Sequence, residues 1–186
     1  MFTKMAVAAA VASAVTLSSP AFGQDKSPAS NGLAELNRGN YANAVELLCA
    51  AVRNAPADLE VRRNLCRAFI EAGMEREAIR QLSALIKFGC SSPRDYSMMA
   101  QAYYQLGNSK TAICYYKEAL QIDASNTEAR IGIARTLISS GDLRGATSAC
   151  VEGLRLATSP QARQQLNALL GTIRTKTSIV RIAANS

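Results

Sequence analysis

Residues 107–124 read Gly-Asn-Ser-Lys-Thr-Ala-Ile-Cys-Tyr-Tyr-Lys-Glu-Ala-Leu-Gln-Ile-Asp-Ala, and this pattern of a glycine, a polar turn and an alanine-lined helix recurs along the chain. Two series advance at one constant interval, namely Gly39, Gly73, Gly107 and Gly141, and Ala44, Ala78, Ala112 and Ala146. A self-match at a period of about 34 residues indicates stacked helical hairpins. The sequence therefore predicts an all-α fold that acts by presenting a surface to another protein.

Helix boundaries follow from the same repeat and from three Ser-Pro pairs. Serine caps a helix and proline suits its first turn, so helices are expected to begin at Ser27-Pro28, Ser92-Pro93 and Ser159-Pro160. The predicted helices cover about 28–38, 41–55, 59–72, 75–88, 93–106, 109–122, 127–140, 143–157 and 160–175. The chain from Lys176 onward is expected to be a loosely held tail.

The unit resembles the tetratricopeptide repeat. Four units cover residues 25–58, 59–92, 93–126 and 127–160, with small residues where the family has them at Gly32, Cys66, Ala100 and Ala134. The resemblance implies a right-handed superhelical stack of hairpins closed by a capping helix, with that helix and the tail in residues 159–186. Leu85 departs from the pattern, because a small side chain is expected there, and it predicts a splayed or repacked second hairpin.

Residues 1–23 differ from the rest of the chain. Lys4 gives a positive start, an apolar run follows to Leu17, and Ala21-Phe22-Gly23 offers small residues to a signal peptidase. This layout is typical of a secretory signal, and its apolar run is shorter than the ~20 residues that span a bilayer. We expect a periplasmic or secreted protein that begins near Gln24. Removing one lysine and no acid lowers the net charge from +7 to +6.

Five cysteines and no histidine limit the chemistry that this chain can support. No Cys-x-x-Cys pair occurs, so neither a metal site nor a cofactor is predicted. Without a histidine base or a phosphate-binding loop, nothing in the sequence indicates an enzyme. Cys49 and Cys66 lie at equal distances from the turn at residues 57–58, which motivates the hypothesis of a disulfide between the first two units.

The resemblance also implies a binding groove on the concave face, lined by the first helix of each hairpin. The residues carried over to it are Arg63, Asn64, Arg67, Arg94, Gln101, Tyr104, Gln105, Arg135 and Ile138. Guanidinium groups bind carboxylates through two parallel hydrogen bonds, so four arginines favour an acidic or C-terminal peptide segment. The alternative is that neighbouring acids, namely Glu60, Glu71 and Glu128, neutralise these arginines. The arginines would then belong to ordinary solvated helix faces.

Two functions remain open at this point. The first is an exported adaptor that binds a segment of a partner protein in a basic concave groove. The second is a structural or accessory subunit of an envelope secretion or pilus-assembly machine, contacted through its convex face or its ends. A third and remoter function, a redox-linked chaperone, would need an exposed cysteine with a lowered pKa.

Overall fold

The computed structural model describes residues 27–184, with side chains up to Ile179. The predicted signal sequence and its cleavage site lie outside the described residues. Within them the chain forms nine helices, which are α1 (Pro28–Arg38), α2 (Tyr41–Asn54), α3 (Leu59–Glu71), α4 (Glu75–Lys87), α5 (Pro93–Gln105), α6 (Ser109–Ile122), α7 (Thr127–Ser140), α8 (Leu143–Leu156) and α9 (Pro160–Ala184). The first eight match their predicted bounds closely, and the all-α prediction is confirmed.

The end of α9 differs from its predicted boundary. The helix does not end near residue 175 as predicted, and the predicted tail from Lys176 has a helical backbone to Ala184. No proline follows Pro160, and the hydroxyls of Thr175 and Thr177 bond back to the carbonyls of Gly171 and Ile173, as helical geometry allows. The side chain of Ile179 is nevertheless exposed.

Each hairpin turns at a glycine of the repeating series. Gly39, Gly73, Gly107 and Gly141 all have φ between 73° and 86°, a left-handed conformation that side chains with a Cβ rarely adopt. The alanines of the second series, Ala44, Ala78, Ala112 and Ala146, are all completely buried. The turn therefore reverses the chain, and the alanine lets the two helices of the hairpin approach closely.

The core runs the length of the stack as three adjoining clusters. One joins α1 to α5, a second surrounds Tyr116 between α5 and α7, and a third joins α7 to α9 around Leu166. The helices α3 and α4 approach each other along less of their length than the helices of the other hairpins do. Leu85 is buried in this second hairpin, which agrees with the expected splaying.

The order of helix contacts gives the stack its curvature. The odd-numbered helices α1, α3, α5, α7 and α9 each touch the next odd-numbered helix, whereas no two even-numbered helices touch within the described residues. The odd-numbered helices therefore form the inner, concave layer. In the same part of the chain, no helix combines the length and apolar character needed to cross a membrane.

Gly132 of α7 offers a test of this packing. A Cβ added to Gly132 would overlap Cζ of Tyr116, so the aromatic ring occupies the space that any side chain would need. We expect Gly132→Ala to lower the free energy of unfolding by about 1–3 kcal/mol, as overpacking does. Urea denaturation followed by circular dichroism measures this change.

Gly171 provides the matched control for that substitution. It lies inside α9, and a Cβ added there would have no neighbour within 4 Å, so Gly171→Ala should stabilise the protein by about 0.5–1 kcal/mol. Equal effects of the two substitutions would contradict the close contact between Tyr116 and α7.

Candidate functional site

A groove opens on the concave face between α5 and α7, and we call it the α5–α7 groove. Its volume is about 730 Å³. Helix α5 lines it with Ser97, Gln101, Tyr104 and Gln105, and helix α7 lines it with Glu128, Ile131, Gly132 and Arg135. Side chains four residues apart share one face of a helix, so the spacing of Ser97, Gln101 and Gln105 is what brings them to one surface.

Three further elements complete the walls of the α5–α7 groove. Glu71 closes one side from the end of α3, and Tyr116 reaches in from α6. The opposite side is formed by the start of α9, with Ser159, Gln161, Ala162 and Gln165. The last helix is thus a wall of the groove as well as the end of the stack.

The predicted site residues Gln101, Tyr104, Gln105 and Arg135 lie together in this groove. Arg135 is exposed and makes no ion pair within the described residues. In that part of the chain, the ionised side chains that line the groove are Arg135, Glu71 and Glu128. The groove is therefore polar and nearly balanced in charge, whereas the sequence predicted a basic one.

Arg63 has a structural role that the sequence prediction missed. Its Nε donates to Oδ1 of Asp95 at 2.9 Å, and its Nη2 donates to Oδ2 of Asp95 at 3.1 Å and to the carbonyl of Cys90 at 2.9 Å. Its Nη1 donates to Oε1 of Glu60 at 2.7 Å. The side chain is only 13% exposed. Arg63 therefore joins α3 to the start of α5 and does not line the groove.

Asp95 is the buried partner that makes this contact possible. It is fully buried, and its Oδ2 also accepts hydrogen bonds from the backbone N–H of Ser92 at 2.8 Å and from the Ser92 hydroxyl at 3.0 Å. The hydrogen bond with Asp95 is the largest cause that raises the pKa of Arg63 above its usual value. Burying a carboxylate is costly unless it is fully paired, and these donors supply that pairing.

Four other predicted groove residues lie outside the α5–α7 groove. Arg67 donates from Nη2 to Oδ1 of Asn37 at 2.7 Å, which links α3 to α1. Nη1 of Arg94 lies 3.7 Å from Oε2 of Glu60, the acid that also binds Arg63. Ile138 is 8% exposed and packs in the core cluster that joins α7 to α9. Asn64 is half-buried on α3 and does not line the groove either.

Several groove residues were missed although the repeat register could have found them. Glu71 and Glu128 occupy positions of the unit that the resemblance assigns to the concave face, and so does Ser97. The residues predicted from those positions were arginines, glutamines, a tyrosine and an isoleucine, and the acids were treated only as neutralising neighbours. Gln161 and Gln165 were missed because α9 was expected only to close the stack as a capping helix.

The cysteines are unpaired in this structure. All five are free thiols, so the hypothesised disulfide between Cys49 and Cys66 is not formed. Equal height on two antiparallel helices does not make the Cβ vectors converge, and a disulfide needs both. Cys66 is completely buried, and this burial, followed by the charge of Asp95, raises the pKa of its thiol to about 12. The described residues contain no cluster of three or more side chains that could hold a metal ion.

Comparison with known proteins identifies the family. The tetratricopeptide repeat family model matches residues 8–156, and the chain belongs to that family. A DnaJ homolog subfamily C member 3 homolog from Dictyostelium discoideum is 27% identical over 92 residues, which are 49% of this chain but only 18% of that protein.

Solved structures show the same fold. A thermophilic tetratricopeptide repeat protein from Thermus thermophilus has a TM-score of 0.69 at 20% identity, over 78% of this chain and 81% of its own. The Yersinia enterocolitica type III secretion chaperone SycD, solved in complex with a peptide of the translocator YopD, has a TM-score of 0.57 at 20% identity, over 64% of this chain and 94% of its own. As a member of this family, the chain is a protein-interaction module.

The buried ion pair generates a prediction about stability. Asp95→Ala leaves Nε of the largely buried Arg63 side chain and two donors of Ser92 without their acceptor, so the free energy of unfolding should fall by about 3 kcal/mol or more. Urea denaturation measures the loss. Glu60→Gln is the control, because Glu60 is 64% exposed and such surface pairs contribute little. A loss below about 1 kcal/mol for Asp95→Ala would contradict a stabilising role of the buried pair.

Proposed function

We propose that this protein is an exported interaction module that binds a segment of a partner protein in the α5–α7 groove. The observation that carries the proposal is a groove of about 730 Å³ in which an exposed arginine stands among amide and hydroxyl side chains. A groove of this size and polarity suits an extended peptide, whose main chain offers alternating donors and acceptors. SycD, which shares the fold, has been solved with a bound peptide, and this supports a peptide as the occupant.

The charges of the groove define the partner segment more closely than the number of arginines in the sequence does. Arg135 offers a guanidinium for one carboxylate, either a side chain or a chain terminus. Glu71 and Glu128 line the same groove and would repel further negative charge. We therefore favour a segment with a single carboxylate opposite Arg135 over a strongly acidic tract.

Binding through the convex face is the second candidate, as expected for a structural subunit of an envelope assembly. Phe88 at the end of α4 is 76% exposed, and Ile122 at the end of α6 is 57% exposed. The two residues occupy equivalent positions of successive units, so exposed apolar side chains recur outside the groove. Such side chains mark protein contacts when they form a continuous patch.

A charge reversal at Arg135 distinguishes the two candidates. Random linear peptides displayed on phage would be selected on the immobilised protein, and the affinity of an enriched peptide measured by calorimetry. We expect Arg135→Glu to weaken binding on the order of tenfold or more, because a charge-assisted hydrogen bond is lost and a repulsion is added.

Arg144→Glu is the matched control for that charge reversal. Arg144 is exposed on α8, outside the groove, so its substitution changes the net charge equally and should leave the affinity unchanged. Equal binding by the parent and both variants would move the site to the convex face or the ends.

Export leads to a separate expectation, which rests on the N-terminal sequence. When the full chain is expressed in a bacterium with its secretion machinery, the intact mass of the recovered protein should correspond to a start at Gln24. Gly23→Arg is the control, because a large charged residue beside the cleavage site should block processing and retain the leader. Recovery of the parent protein with residues 1–23 still attached would contradict export by this signal.

A further inference from the structure

Ser97, one of the residues that line the α5–α7 groove, carries a buried hydroxyl group without a partner in the described part of the chain. Ser97 is 3% exposed, and its Oγ is the buried side-chain polar atom that lacks a hydrogen bond within the described residues. Ser97 also lines the groove. A buried hydroxyl without a partner destabilises a folded protein, and such groups are rare in native structures. Because Ser97 lines a groove large enough for a peptide, a bound segment whose polar group reaches Oγ would supply the missing hydrogen bond.

Helix α9, which lines the groove on the side away from α5, carries side chains that also form hydrogen bonds. Gln161 and Gln165 lie four residues apart on α9, on one face of the helix, and both line the groove. With Gln101 and Gln105 of α5, they surround the groove with side chains that each donate and accept hydrogen bonds. An amide group is the ligand chemistry that offers a donor and an acceptor together.

The start of α9 is held firmly enough to act as a binding wall. Nη1 of Arg163 donates to the carbonyls of Leu154 at 3.1 Å and Ala157 at 3.3 Å, at the end of α8. Leu166 is fully buried, and its two methyl carbons lie 3.0 Å from the position that a Cβ of Gly153 would occupy. These contacts fix the first turns of α9 and thereby the position of its two glutamines.

We propose that Ser97, together with Gln161 and Gln165, forms an amide-recognition subsite that selects the segment bound in the α5–α7 groove. The inference rests on the proposed function and adds the group that is recognised. Arg135 contacts the carboxylate of the partner segment, and the subsite binds a peptide amide of that segment. The amide belongs either to the main chain or to an asparagine or glutamine side chain.

Ser97→Ala tests the subsite through two effects of opposite sign. Removal of the unpaired hydroxyl should leave the melting temperature of the free protein equal to or above that of the parent. The affinity for the phage-selected peptide should fall on the order of fivefold, because one hydrogen bond to the ligand is lost. Ser83→Ala, on an exposed position of α4, is the control and should leave the affinity unchanged.

The α9 wall is tested by a matched pair of glutamines. Gln161→Ala combined with Gln165→Ala should weaken binding of the same peptide, whereas Gln164→Ala should not, because Gln164 is exposed on the same helix and does not line the groove. Circular dichroism confirms that each variant keeps the helical content of the parent.

The source of the amide is identified on the peptide itself. A scan of N-methylated peptides removes one main-chain donor at a time, and an alanine scan removes each side-chain amide. The peptide change that abolishes the Ser97 contact should weaken binding to the parent and have no further effect on Ser97→Ala, since the two remove the same hydrogen bond. A sensitive N-methyl position assigns the main chain, and a sensitive asparagine or glutamine assigns a side chain.

The possible failures are distinguishable. If Arg135→Glu weakens binding while Ser97→Ala and the double glutamine variant bind as the parent does, the amide subsite is overturned and the groove remains the binding site. If no selected peptide responds to Arg135→Glu, the proposed function is overturned and this inference with it. A lower melting temperature for Ser97→Ala would show that its hydroxyl stabilises the free protein, which also overturns the assignment.

Discussion

The fold depends on the close approach of two helices within each hairpin. Ala44, Ala78, Ala112 and Ala146 are completely buried at equivalent places, and a larger side chain there would separate the helices. Leu85 stands where a small residue is expected, and the second hairpin, which buries it, is packed less closely than the others. Each hairpin covers the apolar face of the next. The short distance between the two helices of one hairpin therefore affects the packing of its neighbours along the whole stack.

Ion pairs and hydrogen bonds of arginine side chains connect neighbouring units. They also determine which charged side chains remain available to bind a partner. Arg63 and Asp95 form a buried ion pair between the second and third units, and Arg67 bonds across to the first. These arginines hold helices in place, so their charges are already neutralised or engaged. The groove is left with Arg135, Glu71 and Glu128, a set that favours a defined carboxylate over general attraction to acidic partners.

The inner layer of helices combines structural and binding roles in α9. Leu166 and Arg163 seat this helix on α8, while its glutamines face the groove. Ser97 contributes a buried hydroxyl that has no hydrogen-bond partner among the residues that the structure describes. Rigid helices that hold incompletely paired polar groups toward a groove are well suited to discriminate between ligands, since a wrong ligand leaves those groups unpaired.

The architecture of this protein follows from its amino-acid sequence. The repeat period sets where each turn and each close helix contact falls, because glycine conformation and alanine size are local properties of the residue. Eight helices and the start of the ninth were therefore predictable, whereas the continuation of α9 depended on the absence of a helix-ending residue. The register also placed Gln101, Tyr104, Gln105 and Arg135 on one face, where the structure has a groove. The role of each polar side chain there depends on contacts between distant parts of the folded chain. Arg63 and Arg135 occupy concave-face positions of the repeat, yet one is buried against Asp95 and the other is exposed in the groove. Arg63 is bound within its own chain because Asp95 lies against it. These two residues are far apart in the sequence, so no local pattern predicts their pairing. Side-chain directions, which sequence spacing leaves undetermined, set three further features. These are the free cysteines, the core position of Ile138, and the hydroxyl of Ser97 that lacks a partner within the described residues.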